Sequence, residues 1–183
     1  GGSLYGKDGD GGDGTALGLL DNYRYTRQQY RILSAGLRAV ALRGLGRLDD
    51  ARATLERRRT LLQSRFDDGD ADEDLFDLAQ TSYQLARVAY EQEQLDKARS
   101  WLEQGLTESA LYNERTGSVV TDVHLALVRA YAELHLYGGV ARRDLRRDLK
   151  AELTVAYEFI TEFRNPEWAR QRFLFGLYLT MIE

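Results

Sequence analysis

The chain predicts an all-α fold of about seven helices, arranged as about three antiparallel hairpins closed by a C-terminal capping helix. Three observations predict it. Apolar residues recur at spacings of three and four along most of the 183 residues, and no alternating β-branched run lies between turn signals. A single proline, Pro166, leaves long helices uninterrupted. The stretch from Ser82 to Leu106 carries two apolar seams split by the polar break Gln92, Glu93 and Gln94. Leu85, Ala86, Ala89 and Tyr90 form the first seam, and Leu95, Ala98, Trp101, Leu102, Gly105 and Leu106 the second. Small residues at Ala86 and Ala98 let two antiparallel backbones approach, with Tyr90, Leu95 and Leu102 filling the space between them.

In chain order, residues 1–14 are glycine and aspartate with almost nothing to bury, and are expected to form a flexible, acidic linker. Asp8, Asp10 and Asp13 start like a calcium loop. Gly12 and Leu19 then stand where ligands belong, so no calcium site is expected. Residues 15–183 form the helical domain. Its first helix begins between Thr15 and Asp21 and runs to about Gly44, with Tyr23, Tyr30, Leu33, Leu37, Val40 and Ala41 as its apolar seam. Gly44 and Gly46 end it, and Leu48, Ala51 and Leu55 open a partner helix with Asp49 and Asp50 in its first turn. Ala51 and Ala98 lie 47 residues apart, so a unit of hairpin grammar recurs at about that interval. The acidic run from Asp67 to Asp74 is the expected separator.

A third hairpin opens with Val123, Leu127, Ala130, Tyr131 and Leu134 and turns at Tyr137, Gly138 and Gly139. Its second arm is expected from about Arg142 to Phe163, carrying Leu145, Leu149, Leu153, Ala156, Tyr157 and Ile160. Asn165 and Pro166 then suit an N-cap and a first helical position. The last helix, Glu167 to Ile182, carries Trp168, Phe173, Leu174, Leu177 and Tyr178 and is expected to cap the final apolar face.

Composition narrows the function classes. The net charge is −4 with both signs interspersed, which argues against a nucleic-acid partner held by counterion release. There is no cysteine, which removes disulfides, thiol catalysis and thiolate metal sites together. No apolar run reaches the roughly 18 residues of a membrane span. The Gly-Gly start reads as an excised or processed chain, so a membrane anchor or a further domain is allowed before it, and the compartment stays open between cytoplasm and bacterial envelope. The two histidines, His124 and His135, stand about three helical turns apart, too far to share a metal, and are expected to be partly exposed. No catalytic motif is present, so no enzyme and no cofactor are expected. Arg57, Arg58 and Arg59, and the cluster Arg142, Arg143, Arg146 and Arg147, fan out around their helices. Both are expected to be solvated surface rather than an acidic-partner or anionic-lipid site.

The order Leu85-Ala86, Tyr90, Leu95, Ala98, Leu102 and Gly105-Leu106 resembles a tetratricopeptide repeat, with Glu93 in place of the family's turn glycine and Gly105 in place of its alanine. The resemblance implies a right-handed solenoid whose first helices line a concave groove for a protein or peptide partner. Carried over, its pocket positions are Tyr83, Arg87, Tyr90 and Glu91 in the best-matched hairpin. In the first hairpin they are Gly36, Val40 and Arg43. With Leu127 aligned to Leu85, they are Leu125, Arg129 and Glu133 in the third. In that alignment Arg87 and Arg129 are equivalent, and Tyr and Arg are residue types that carry interface energy. The implied function is a non-catalytic interaction scaffold or adaptor, of the kind used in bacterial envelope, secretion or polysaccharide assemblies. Contact between two copies through a terminal helix is a further expected option. The alternative is an effector-sensing helical segment like those of large bacterial transcription activators.

Overall fold

A computed structural model describes residues 16–117 and 120–183, and within them the chain is all-helical. The α-helices are α1 (Ala16–Gly44), α2 (Leu48–Gly69), α3 (Asp72–Glu91), α4 (Leu95–Thr116), α5 (Asp122–Leu136), α6 (Leu149–Phe163) and α7 (Ala169–Met181). Two 3₁₀ turns, Arg142–Asp144 and Pro166–Trp168, precede α6 and α7. No strand occurs among the described residues. The expected linker over residues 1–14 lies outside them.

Each helix packs on the next, and α5 also touches α3 and α7. Side-chain pairs fix the directions. Arg65 reaches Gln29 while Arg58 reaches the Ile32 carbonyl, so α1 and α2 are antiparallel. Arg65 pairs with Asp74 and Arg59 with Ser82, which reverses α3 on α2. Ser82 pairs with Glu108, which reverses α4 on α3. The buried side chains form a large cluster from α3 to α7 and two smaller ones joining α1, α2 and α3.

The hairpin at 82–106 forms with α3 ending at Glu91, α4 starting at Leu95, and Ala86 and Ala98 both buried, but Tyr90, expected to fill the space between the two helices, is 48 % exposed. Its turn needs a left-handed residue to bring the Gln94 N–H onto the Ala89 carbonyl, and Glu93 supplies it at φ 59°. Gly46 and Gly139 hold the same conformation at φ 74° and 81°. Gly105 has a different reason. A Cβ there would lie 2.7 Å from a methyl of Leu127 and 3.2 Å from the Ser82 Cβ, so the missing side chain lets α4 close on both α3 and α5.

Three further expectations are corrected, while the acidic run 67–74 does separate α2 from α3: its ends form the last turn of α2 and the first of α3, with only Asp70 and Ala71 between the helices. Its carboxylates favour the N-terminal turn of α3, and Asp74 is buried against Arg65 at 2.7 Å. The length between hairpins is therefore in the helices.

In α1 the seam read from the sequence is the outer one: Tyr23, Tyr30, Leu33, Leu37 and Val40 are all exposed, while Ile32, Ala39 and Leu42 pack inward. In α7 likewise Phe175 and Tyr178 are buried and Phe173 and Leu177 exposed.

The third hairpin's second arm starts at Leu149, not near Arg142. The Glu103 carboxylate, held by the Tyr131 hydroxyl, accepts the Arg146 N–H at 2.6 Å, and the Arg147 N–H bonds to the Tyr131 oxygen at 3.2 Å. These bonds tie the segment just before α6 to α4 and α5. Asp148 then caps α6 by accepting from the Ala151 N–H at 3.1 Å.

Candidate functional site

The odd-numbered helices α1, α3, α5 and α7 contribute side chains to one groove of about 600 Å³, whose floor is completed by Ala98 and Leu102 of α4. Small side chains make its depth: Ala86, Ala126 and Ala130 leave room over Leu102 and Leu134. Charged and aromatic side chains surround this apolar floor. Arg43 donates to the Glu91 carboxylate through Nε at 2.7 Å and through Nη2, which ties the end of α1 to the end of α3. Across the groove, Glu133 accepts from Arg129 Nε at 2.9 Å and from the Tyr178 hydroxyl at 2.7 Å. The ring of Tyr137 meets Tyr178 edge-on. Arg87 forms no ion pair among the described residues, and its guanidinium lies 5.7 Å from the centre of the Tyr83 ring.

The electrostatics follow from this pairing. Burial and the bond to Glu133 push the Tyr178 phenol well above its ordinary range, so it stays a donor at any physiological pH. The hydrogen bond from Arg129 to Glu133 in turn raises the Arg129 guanidinium. The two carboxylates of the groove are thus partnered, and Arg87 is the cation left for a ligand. Together with the exposed Tyr90, it offers an aromatic surface beside a carboxylate-binding group.

Seven of the eight residues singled out for partner binding line this one groove: Tyr83, Arg87, Tyr90, Glu91, Arg129, Glu133 and Arg43. Val40 does not. It is exposed on the outer side of α1. Two neighbouring pocket positions also fall elsewhere, since Leu125 is fully buried and Gly36 faces the Arg58 side chain of α2. The left-handed residues Glu93 and Gly139 set the register between the two hairpins, 46 residues apart. That register places Arg129 level with Tyr83 and Glu133 level with Arg87, so Arg87 and Arg129 are not equivalent positions. Tyr137, Ala126 and Gln171 also line the groove and were missed. Aligning Gly139 with Glu93 puts Tyr137 opposite Glu91, whereas Gln171 on the capping helix carries no local signal.

Other candidates serve the fold. His124 is buried rather than partly exposed, with Nδ1 3.0 Å from the Ser109 hydroxyl and Nε2 3.9 Å from Glu152. Burial lowers its pKa, offset in part by Glu152. His135 donates from Nδ1 to the Val140 carbonyl at 2.7 Å. The arginine run splits three ways: Arg57 is exposed, Arg58 is buried on the Ile32 carbonyl and Thr81, and Arg59 pairs with Glu108 at 2.6 Å. In the second cluster Arg147 is engaged, with Glu152 at 2.7 Å and Thr107 at 3.1 Å. No group of three His, Asp or Glu side chains suited to a metal forms among the described residues, and no helix there is long and apolar enough to cross a membrane. No protein-family model matches the chain, and neither does any curated protein or solved structure.

Proposed function

We propose that this chain is a non-catalytic interaction scaffold, a tetratricopeptide-like right-handed solenoid that holds a segment of a protein partner in the groove between α1, α3, α5 and α7. One observation carries the reading: alternate helices converge on a single apolar-floored groove whose rim gathers Tyr83, Tyr90, Tyr137 and the uncommitted Arg87. The left-handed turn residues Gly46, Glu93 and Gly139, spaced 47 and 46 residues apart, support a repeating hairpin. A partner segment would lay apolar side chains over Ala86, Ala126 and Ala130 and direct a carboxylate to Arg87.

The test is affinity capture with wild type, Arg87→Ala and Ala126→Phe, followed by titration of the captured protein's binding segment. Arg87→Ala removes the cation, and Ala126→Phe fills the groove from a half-buried position on its floor. Both are expected to weaken binding at least tenfold, the usual consequence of losing an interface anchor. A partner whose affinity ignores both changes would place the function elsewhere on the molecule.

A second reading, an effector-sensing domain of a larger regulator, is favoured by the groove's size. About 600 Å³ lies within the range of small-molecule sites, and tyrosine and arginine suit a polar effector. It requires a small molecule that raises the melting temperature of wild type but not of Ala126→Phe.

A further inference from the structure

We propose that the outer face of α1 docks onto an anionic lipid surface, as an amphipathic helix lying in the bilayer interface. At 100° per residue, Leu19, Tyr23, Tyr30, Leu33, Leu37 and Val40 fall within an arc of about 100°. The side chains that α1 buries, Ile32, Ala39 and Leu42, lie on the opposite side, against α2 and α3. The outer stripe is not marginal: Leu37 is 75 % exposed, Tyr30 71 % and Val40 61 %. No described element covers it, and it runs along most of a helix of 29 residues. The face is independent of the groove, which α1 enters only through Arg43.

Charge identifies the occupant. The whole chain carries −4, yet α1 holds five arginines against the single carboxylate of Asp21. Arg24, Arg27, Arg31 and Arg38 form one row along the flank of the apolar stripe, within about 60° of arc. All four are exposed and none is in an ion pair among the described residues. Arg57 of α2 joins Arg31 and Arg38 along the trough between the two helices. A second copy of the chain fits this pattern poorly. A two-fold axis relating antiparallel α1 helices keeps each flank on its own side and sets the arginine row against itself; a parallel pair supplies the row with no anion. A bilayer containing acidic phospholipid supplies both needs, since leucine, valine and tyrosine enter the headgroup–acyl boundary while arginines reach phosphate.

The experiment is flotation of the full chain with phosphatidylcholine vesicles, with and without phosphatidylserine. Wild type is expected to float with the anionic vesicles, less so as salt is raised, and to stay behind with neutral ones. Leu33→Glu/Leu37→Glu should abolish flotation. Arg24→Gln/Arg27→Gln/Arg31→Gln should weaken it about tenfold or more. All five side chains are solvent-facing, so circular dichroism and melting temperature should match wild type in both variants. Failure of wild type to float, or flotation that both variants retain, would overturn the proposal. So would a dimer in sedimentation that Leu37→Glu dissolves while wild type ignores vesicles, which would give the face to a second copy.

Discussion

Gly105 stands where α4 is pressed between two neighbours, and its hydrogen is all the space allows. In Gly105→Ala the new methyl would meet Leu127 at 2.7 Å and Ser82 at 3.2 Å, and Leu127 is fully buried with no free direction to move. Alanine's better helix propensity returns up to about 1 kcal/mol. The overpacking costs about 1–3 kcal/mol, so the net effect expected in a urea titration is a loss. His124 gives a second residue-scale prediction, with a pH signature. Burial holds its folded pKa below the ordinary 6.5, so the unfolded chain binds a proton that the folded chain refuses. Its contribution is complete above about pH 6.5 and declines as the pH falls from there toward the folded value. Melting curves across that range should slope less for His124→Gln, which keeps a polar partner for Ser109, than for wild type.

At the scale of elements, what the sequence showed and what it hid have separate physical causes. The α3–α4 hairpin was legible because its information is local: small residues at the crossing, large ones around it and a polar break between seams. The groove positions on α3 came from the resemblance to a tetratricopeptide repeat, carried over onto that hairpin. The first helix misled because both of its sides are apolar. Periodicity finds a stripe but cannot say which of two stripes a neighbour covers, and the stripe of larger residues faces outward. Val40 was misplaced by the repeat alignment, which set it 47 residues before Arg87, where α1 turns it outward. The chain from Val140 to Asp148 hid differently. Its apolar spacing allows a helix, but only Arg142–Asp144 take a 3₁₀ turn, and Glu103, 43 residues before Arg146, holds the chain that follows. Glu103→Ala should release that segment. Hydrogen exchange at the Arg146 and Arg147 amides is expected to accelerate strongly in the variant, while amides in the middle of α3 keep most of their protection. Unchanged exchange at those two amides would mean that the segment is held by something other than Glu103.

For the whole molecule, stability is distributed unevenly along the helix order. One buried cluster ties α3 to α7, whereas α1 and α2 are joined to α3 by two small ones, and α1 buries no side chain before Ile32. Ion pairs bridge the division, with Arg59 of α2 on Glu108 of α4 and Arg65 of α2 on Asp74 of α3. Pairs as enclosed as these oppose partial opening, because separation would leave a charge uncompensated. Leu62→Ala tests which effect wins. Leu62 is fully buried with Ile32 and Leu78, and truncation opens a cavity in the smallest cluster at a cost of about 2–5 kcal/mol. If helix order governs cooperativity, the loss should be local: exchange protection should drop through α1 and α2, while the centres of α3, α4 and α5 stay near wild type. Uniform loss across all seven helices would show instead that Arg59 and Arg65 weld the two ends into one folding unit. The first outcome also bears on the lipid face, since an α1 able to loosen from α3 can settle on a bilayer without disturbing the groove floor on α3, α4 and α5.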